Sequence, residues 1–390
     1  MRNSILSFMA AALCVVAAGA QVSIPDTDVS AGSTKPAGSS SVAYIYVSSM
    51  IGNSSTAEII GFSAAANGEL TPIPGSPFAG DVGNLAGNGN YLFGSTLSTT
   101  DIESYAIEPN GALRFAGSTN VVTPNGGCGN AESITLDHTG ASLYDVSYFG
   151  NDCTNNTYET FSINNSNGKL TFLGDAGSTE FIEGPLTFIG NNEYAYTTDC
   201  YHFDGGITPF KRSKNGKLTQ LNFEVPFPAL STGSYCGLGQ AADPTNHVAI
   251  AMQAFDGINS PVTGVQLGTY TVASDGSMST TSTPSNMPTV AMDNVTTLNM
   301  APSGELLAVA GTNGLQIFRF NGAAPISRYS GLFTKSEVDA IFWDNANHLY
   351  AIGSKIGKLR VFTLTLTGYS HAPGSPYNIN KPQGLRVLPL

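Results

Sequence analysis

A short turn motif, Asn-Gly-x-Leu, recurs along this chain and constrains its fold more than any other feature. Four clear copies and two weaker ones begin at Asn67, Asn110, Asn167, Asn215, Asp275 and Asn321. The copies lie about 43 to 60 residues apart, which is typical of repeat architectures. Each copy follows a strand pattern, such as Ile102-Glu103-Ser104-Tyr105-Ala106-Ile107. Because Asn-Gly supplies two positive φ angles, we expect each copy to be a type I′ hairpin turn.

A second family of short turns lies between these copies and joins one apolar strand to the next. Its members are Asp137-His138-Thr139-Gly140, Asp243-Pro244-Thr245-Asn246, Ala301-Pro302-Ser303-Gly304 and Asp344-Asn345-Ala346-Asn347. The repeating unit is therefore strand, turn, strand, loop, strand, Asn-Gly turn, strand. Residues 41–390 hold seven such units of about 50 residues, close to the length of a propeller blade. The predicted fold is all-β, a seven-bladed β-propeller with four antiparallel strands in each blade.

The two ends of the repeat region predict how the ring closes. Residues 41–49 read as the second strand of a unit that has no first strand before it, and residues 384–390 read as an unpaired strand. We expect these two segments to complete one blade together, which would hide both sheet edges. The peptides Pro74-Gly75-Ser76-Pro77-Phe78 and Pro373-Gly374-Ser375-Pro376-Tyr377 follow the fourth strand of the first and last units.

The amino-acid composition limits the classes of molecule that this protein is expected to bind. The chain has 16 basic and 28 acidic residues among 390, a formal net charge of −12, and 41% hydrophobic residues. Too few basic residues are present for a nucleic-acid footprint, so no nucleic-acid partner is expected. An acidic protein also does not suit phosphorylated substrates. We expect no cofactor, no metal and a monomeric protein.

The N-terminus reads as an export signal. Residues 1–20 carry Arg2, an apolar run and a small-x-small end at Ala18-Gly19-Ala20, as secretory signal peptides do. Residues 21–40 are rich in Ser, Gly, Thr and Pro and are expected to form a disordered leader before the propeller of residues 41–390. No stretch is long and apolar enough to predict a membrane span. A secreted or periplasmic protein is therefore expected.

Cysteine usage agrees with export. After removal of residues 1–20, four cysteines remain: Cys128, Cys153, Cys200 and Cys236. An even number in an exported protein predicts disulfides, and sequence alone allows three pairings. We favour Cys128–Cys153 and Cys200–Cys236, because each pair would clip the loops that border one blade. The absence of C-x-x-C spacing argues against a zinc site.

Strand alternation sorts the connections onto two faces of the ring. The two families of short turns share one face, here called the turn face, and the longer loops share the opposite loop face. Loops of that length are where binding and catalytic residues concentrate. The loop-face candidates are Asp152, Asp199, Tyr201, His202, Asp204, Tyr235 and Asp256. His202, between Asp199 and Asp204, is the candidate general base, while Asp152, Tyr201, Tyr235 and Asp256 are candidate binding residues.

Three other groups are expected to be structural. The Asp-Gly segments at Asp204 and Asp256 lack the alternating acidic positions of a calcium loop and read as turns. Trp343 is expected to pack between blades. The basic run of Lys211, Arg212, Lys214 and Lys217 is expected to form a solvated edge.

The turn motifs and the Pro-Gly-Ser-Pro peptides of residues 41–390 resemble those of seven-bladed lactonase-type propellers, the 6-phosphogluconolactonase family. The resemblance implies ring opening of a lactone on one propeller face by His, Arg and acidic side chains. The Pro-Arg-His style motif of that family is absent here: His138 lacks an Arg neighbour.

Two functions remain open, and whether the protein is an enzyme is not decided by its sequence. The first is a propeller that binds a small molecule, glycan or protein through its loop face. The second is a hydrolase that opens a neutral or unphosphorylated lactone ring.

Overall fold

The computed structural model is a ring of seven antiparallel sheets. It describes residues 41–121, 133–149, 155–179, 184–198, 200, 205–223, 225–256, 261–365 and 367–390. These residues form 31 strands and no helix. The all-β prediction and the seven-bladed propeller prediction are confirmed.

Blades are numbered here from the N-terminus, and strands are given from the inner edge of each blade outward. Blade 1 has β31 (Pro382–Pro389), β1 (Ser41–Met50), β2 (Ala57–Ala65) and β3 (Leu70–Pro72), with β4 (Phe78–Ala79) beside β2. Blade 2 has β5 (Val82–Gly87), β6 (Tyr91–Thr96), β7 (Asp101–Ile107) and β8 (Leu113–Asn120). Blade 3 has β9 (Ile134–Leu136), β10 (Ser142–Phe149), β11 (Asn155–Ile163) and β12 (Leu170–Thr179). Blade 4 has β13 (Thr187–Phe188), β14 (Tyr194–Thr198), β15 (Gly206–Arg212) and β16 (Leu218–Gln220), with β17 (Val225–Pro226) beside β15.

The remaining three blades follow the same order. Blade 5 has β18 (Ser234–Ala242), β19 (His247–Phe255), β20 (Gln266–Val272) and β21 (Met278–Ser279). Blade 6 has β22 (Val295–Met300), β23 (Leu306–Gly311), β24 (Gly314–Arg319) and β25 (Ser327–Thr334). Blade 7 has β26 (Ala340–Trp343), β27 (His348–Gly353), β28 (Lys358–Leu364) and β29 (Tyr369–His371), with β30 (Tyr377–Asn378) beside β28.

The C-terminal strand closes the ring, as the sequence predicts. β31 pairs antiparallel with β1, and Leu388 lies opposite Tyr44. β31 also contacts the inner strands of blades 2 and 7. Blade 1 is thus built from both ends of the chain, and β1 is paired on both of its sides.

Each blade is buried on both faces, because a neighbouring blade covers each face. On β1, Ala43, Ile45 and Val47 pack toward blade 7, whereas Tyr44 and Tyr46 pack toward blade 2. This packing explains why the inner strands are apolar at consecutive positions rather than at alternating ones.

The Asn-Gly turns differ from the type I′ turns that the sequence predicts. Gly68 has a φ of +80°, but Asn67 is not among the residues with positive φ. The amide of Gly68 donates to the Ala65 carbonyl, and the amide of Ala65 donates to the Glu69 carbonyl. This pattern is a type I turn followed by a glycine bulge. The Asn67 side chain accepts a hydrogen bond from the Glu69 amide at 3.0 Å, which explains the asparagine.

The glycines of these turns also let the blades approach one another. A Cβ on Gly111 would lie 2.7 Å from the Tyr44 ring of blade 1, and one on Gly276 would lie 2.5 Å from the Tyr194 ring of blade 4. The motif therefore serves both hairpin geometry and inter-blade packing.

The two Pro-Gly-Ser-Pro peptides occupy equivalent positions at the outer edges of blades 1 and 7. The hydroxyl of Ser76 accepts a hydrogen bond from the Gly61 amide at 2.9 Å. The hydroxyl of Ser375 accepts one from the Val361 amide at the same distance. In both blades the serine satisfies a backbone donor of the third strand, where the outer strand is interrupted.

Candidate functional site

The loop face is uneven around the ring. The long connections are residues 121–133, 180–186, 199–205, 227–233, 256–265 and 280–294, and they all border blades 3, 4, 5 or 6. Blades 6 and 7 also carry short connections on this face, at residues 312–313 and 354–357. The long loops are therefore concentrated on one side of the ring, and long loops are where functional residues concentrate.

Most of the loop-face candidates fall outside the described residues. Asp152, Asp199, Tyr201, His202 and Asp204 lie there, and so do Cys128 and Cys153 of the first expected disulfide. Cys200, Tyr235, Cys236 and Asp256 lie within the described part of the chain.

Cys200 and Cys236 form a disulfide. Cys200 belongs to the loop between β14 and β15 of blade 4, and Cys236 belongs to β18, the inner strand of blade 5. Cys236 is the third residue of that strand, so it does not lie in a loop bordering the blade as the sequence predicts. The bond therefore joins a long loop of one blade to the core strand of the next.

Tyr235 and Asp256 have different environments. Tyr235 is buried, and its hydroxyl donates to Gln266 Oε1 at 2.7 Å. Burial raises the pKa of this phenol above its ordinary value. Asp256 follows β19 and is exposed at the start of a long loop. The sequence pattern did not distinguish the buried residue from the exposed one.

Bulges in the inner strands are a feature of the loop face that sequence reasoning missed. The pairing register shifts near the start of β5, β22 and β31 and in the middle of β18, in four different blades. In β31 the extra residue is Gln383, whose exposed amide donates to the Lys381 carbonyl at 2.8 Å. Bulges redirect side chains and are frequent beside binding sites. Gly83, Gly237 and Gly384 near these bulges were the available sequence signal.

Acidic residues just before the inner strands hold the short loops of this face. Asp339 precedes β26, and its Oδ2 accepts the Ser354 amide at 2.6 Å. Burial raises the pKa of the Asp339 carboxyl, although the Ser354 hydrogen bonds oppose that shift. Asp81 precedes β5 in the same way, and its Oδ1 accepts the Ala57 amide at 2.9 Å.

A pair of carboxylates interrupts the packing between blades 2 and 3. Asp145 on β10 lies directly opposite Glu159 on β11, and both are fully buried. They share a sheet face with Leu143 and Phe161, which pack against blade 2. Ser147 donates to Asp145 Oδ2 at 2.9 Å. The pair has no distinct signal in the sequence, because each acid lies inside an otherwise ordinary strand.

On the turn face, histidines pair with aspartates of the same turn. His348 Nδ1 lies 2.7 Å from Asp344 Oδ2 in the blade 7 turn, and Tyr350 donates to the same oxygen at 2.9 Å. In blade 5, His247 Nδ1 lies 3.0 Å from Asp243 Oδ2. His348 is buried among these partners. Both histidines therefore hold turns together.

The sequence predicts that the basic run of blade 4 is a solvated edge. That prediction is wrong for Arg212. Arg212 reaches blade 3, where it forms an ion pair with the buried Asp137. Its Nε also donates to the Tyr144 hydroxyl at 3.1 Å. Lys211, Lys214 and Lys217 are exposed as expected, but an arginine is long enough to cross to the neighbouring blade. Trp343 does pack between blades, and its Nε1 donates to the Asn299 carbonyl at 3.2 Å.

Within the described ranges, no three His, Cys, Asp or Glu side chains come together in a way that could hold a metal ion. No helix in the described part of the chain has the length and apolar character that crossing a membrane requires.

Comparisons with known proteins show the fold. No family model and no curated protein matches the sequence. The Pseudomonas aeruginosa periplasmic gluconolactonase PpgL is similar in structure, with a TM-score of 0.64 and 14% identity over 89% of this chain and 99% of that one. A candidate 6-phosphogluconolactonase from Bacteroides fragilis has a TM-score of 0.63 and 13% identity over 91% and 99% of the two chains.

A propeller of another kind is similar as well. Chaetomium thermophilum Sqt1, seen bound to the N-terminus of ribosomal protein L10, has a TM-score of 0.51 and 14% identity over 86% of this chain and 89% of that one. At these identities the likeness shows a shared fold and nothing beyond the fold. It does not carry an activity with it.

Proposed function

We propose that this protein is an exported propeller that binds a small molecule, glycan or protein segment through the long-loop side of its loop face. The observation that carries the proposal is the crowding of long connections around blades 3 to 6, together with the disulfide that ties one of them to β18. The chain thus carries long surface loops on a rigid ring of strands, and one of these loops is bonded to a core strand. Binding sites commonly combine loops with a rigid scaffold in this way.

The binding residues in this proposal are Asp152, Tyr201, Tyr235 and Asp256. Carboxylates and aromatic rings at a rim suit neutral polar ligands, because the rings supply stacking surface and the acids accept hydrogen bonds. Tyr235 is buried and its hydroxyl is held by Gln266, so in this proposal it supports the rim from the core and does not touch the ligand.

The turn face suits a structural role. His247 and His348 are paired with aspartates of their own turns, and Arg212 is paired with Asp137. A hydrolase that used these groups would have to break inter-blade or turn contacts first.

Binding can be tested with a glycan array and a peptide array probed with the full chain. Asp256→Asn on the loop face should weaken the binding of any ligand found on the arrays. Glu305→Gln on the turn face is the matched control and should leave that binding unchanged. Binding that Glu305→Gln abolishes and Asp256→Asn leaves unchanged would place the site on the turn face and contradict the proposal.

The second candidate function is hydrolysis of an unphosphorylated lactone. The similarity in fold to a periplasmic gluconolactonase favours this candidate. In this candidate His202 is the general base, and Asp199 and Asp204 orient it or stabilise its charged form.

A rate measurement separates the two functions. The full chain would be mixed with D-glucono-1,5-lactone in a pH-stat, and proton release would be compared with the spontaneous rate. Enzymatic turnover that falls at least tenfold in His202→Ala but not in His371→Ala would support hydrolysis. If proton release equals the spontaneous rate and a ligand binds on the arrays, hydrolysis is excluded and the binding function is supported.

Export through a signal peptide of residues 1–20 is part of the proposal. The disulfide supports it, because such bonds persist in oxidising compartments. N-terminal sequencing of the exported chain should give Gln21 as the first residue of the processed form, ahead of the proposed leader of residues 21–40.

A further inference from the structure

Positive charge is distributed unevenly along this acidic chain. Residues 295–390, which include blades 6 and 7 and the closing strand, carry eight Lys and Arg residues and four Asp and Glu residues. Residues 41–294 carry six basic residues and 22 acidic ones. One sector of the ring therefore has an excess of cations, and a local field of this kind selects partners of opposite charge.

Three exposed lysines of this sector lie on short connections of the loop face, and we call them the lysine row. Lys335 follows β25, Lys355 lies between β27 and β28, and Lys381 precedes β31. Lys355 Nζ lies 2.7 Å from Oε1 of Glu337, yet the Lys355 side chain remains 76% exposed. Lys335 and Lys381 form no ion pair with any residue that the structure describes.

Hydrogen bonds join the three connections into one continuous surface. The Lys355 amide donates at 3.1 Å to Oε2 of Glu337, which lies two residues after Lys335. The Ile379 amide, two residues before Lys381, donates at 3.0 Å to a carbonyl of the connection that carries Lys355. The lysine row thus runs from the edge of blade 6 across blade 7 to the inner strand of blade 1.

The backbone of Lys381 is held in a conformation that a lysine rarely adopts. Its φ is +43°, and the other described non-glycine residues with positive φ are asparagines, which tolerate that region. The left-handed conformation costs a residue such as lysine about 1–2 kcal/mol. The Asn380 side chain fixes this segment by donating to the carbonyls of Met50 and Gly52 at 2.6 and 2.8 Å. Strain at a position that glycine would relieve points to a role for the side chain.

An exposed apolar side chain lies beside this segment. Ile51, in the connection between β1 and β2, is 46% exposed, and the residues on either side of it accept the hydrogen bonds of Asn380. The rest of that connection, up to Thr56, has no acidic side chain that would compete for Lys381.

The charges and the isoleucine together favour one kind of partner. Lysine ammonium groups act as point charges that pair with carboxylates. An exposed isoleucine gains from covering by another apolar group, which the side chains of a protein supply and the hydroxyl groups of a polysaccharide do not. An acidic protein segment therefore suits this surface better than an acidic polysaccharide does.

We propose that the lysine row docks an acidic segment of a partner protein, with carboxylates on Lys335, Lys355 and Lys381 and an apolar side chain on Ile51. The surface is separate from the long-loop side that carries Asp256, so it does not depend on ligand binding there.

Fluorescence anisotropy of a labelled oligoglutamate peptide, with or without one central leucine, tests the proposal with the full chain at about 0.15 M salt. Both peptides should bind, and the leucine peptide should bind more tightly. Lys335→Glu combined with Lys381→Glu should weaken both affinities about tenfold or more, because two attractive charges become repulsive. Ile51→Ser should remove the preference for leucine and leave the affinity for oligoglutamate unchanged.

Two further variants separate docking from total charge and from folding. Lys169→Glu combined with Lys214→Glu makes the same change in net charge at exposed positions of the turn face and should leave both affinities unchanged. Lys381→Gly should weaken binding several-fold while the protein stays at least as stable as the parent, since glycine adopts a positive φ without strain.

Several results would overturn the proposal. Absence of binding of either peptide would do so, and so would affinities that the substitutions in the lysine row leave unchanged. Equal weakening by the turn-face pair would show that only the total charge matters. A loss of stability in Lys381→Gly would show that this lysine serves the fold. Heparin or polygalacturonate that binds as tightly as the leucine peptide would show a surface for any polyanion and remove the protein segment.

Discussion

The Tyr144 hydroxyl of blade 3 donates a 2.7 Å hydrogen bond to the carbonyl of Gly216 in blade 4. The same relationship joins Tyr46 to Gly111 at 2.7 Å and Tyr196 to Gly276 at 2.8 Å. In each case the hydroxyl of a tyrosine in the second strand of one blade donates to the carbonyl of the turn glycine in the next blade. The recurring motif is therefore part of the inter-blade contact as well as of the hairpin.

Tyr144→Phe should destabilise the protein by about 1 kcal/mol, because the Gly216 carbonyl and Arg212 Nε lose a partner while the ring packing stays. Chemical denaturation monitored by fluorescence measures the change. Tyr91→Phe is the matched control, since the Tyr91 ring also packs on a turn glycine but its hydroxyl bonds to no described residue. Equal losses in both variants would contradict the assigned role of the hydrogen bond.

Gly111→Ala should be more destabilising than Gly89→Ala. Both glycines have a φ of +83°, so each variant incurs the left-handed strain of about 1–2 kcal/mol. Only at Gly111 would the new methyl group meet the Tyr44 ring of the adjacent blade, whereas nothing lies within 4 Å at Gly89. The difference, about 1–3 kcal/mol, measures the close approach of the blades. Unfolding midpoints that agree for the two variants would rule out this role for Gly111.

Removal of the Cys200–Cys236 bond by the double substitution to Ser should lower stability by about 4 kcal/mol, given the sequence separation of 36 residues. Thermal unfolding with and without reductant provides the measurement. Reductant should destabilise the parent more than the double variant, because the variant has lost this bond already. An identical response of the two proteins would show that the bond contributes nothing to the fold.

Asp339→Asn should stabilise the protein at pH 7, and the gain should shrink at low pH. Burial raises the folded pKa of this carboxyl, so ionisation costs more in the folded state than in the unfolded chain, where the pKa is about 3.9. That cost is absent below the unfolded pKa and fully present above the folded pKa. Unfolding midpoints of parent and variant between pH 3 and pH 8 show the trend, and a constant difference across this range would refute the explanation.

The architecture was predictable because it depends on repeated local chemistry. The turn motifs recur along the chain, and the wrong turn type predicted for them leaves the count of seven blades unchanged, because both turn types join neighbouring antiparallel strands. Ring closure followed from two unpaired strand patterns and is confirmed by the pairing of Tyr44 with Leu388.

The site was less predictable because its features depend on contacts between distant residues. Tyr235 reads as a rim residue in the sequence, yet it is buried and held by Gln266. Arg212 reads as an exposed hairpin residue, yet it bonds to Asp137 across a blade boundary. The bulge at Gln383 has no signal of its own beyond a nearby glycine.

Both face assignments depend on closure of the ring, and amide hydrogen exchange of residues 43–49 tests that closure most directly. Their amides should be strongly protected in the full chain, and deletion of residues 382–390 should remove much of that protection and lower the unfolding temperature, since β1 loses its inner partner. Unchanged protection of residues 43–49 and an unchanged unfolding temperature after the deletion would contradict a ring closed by its own C-terminal strand.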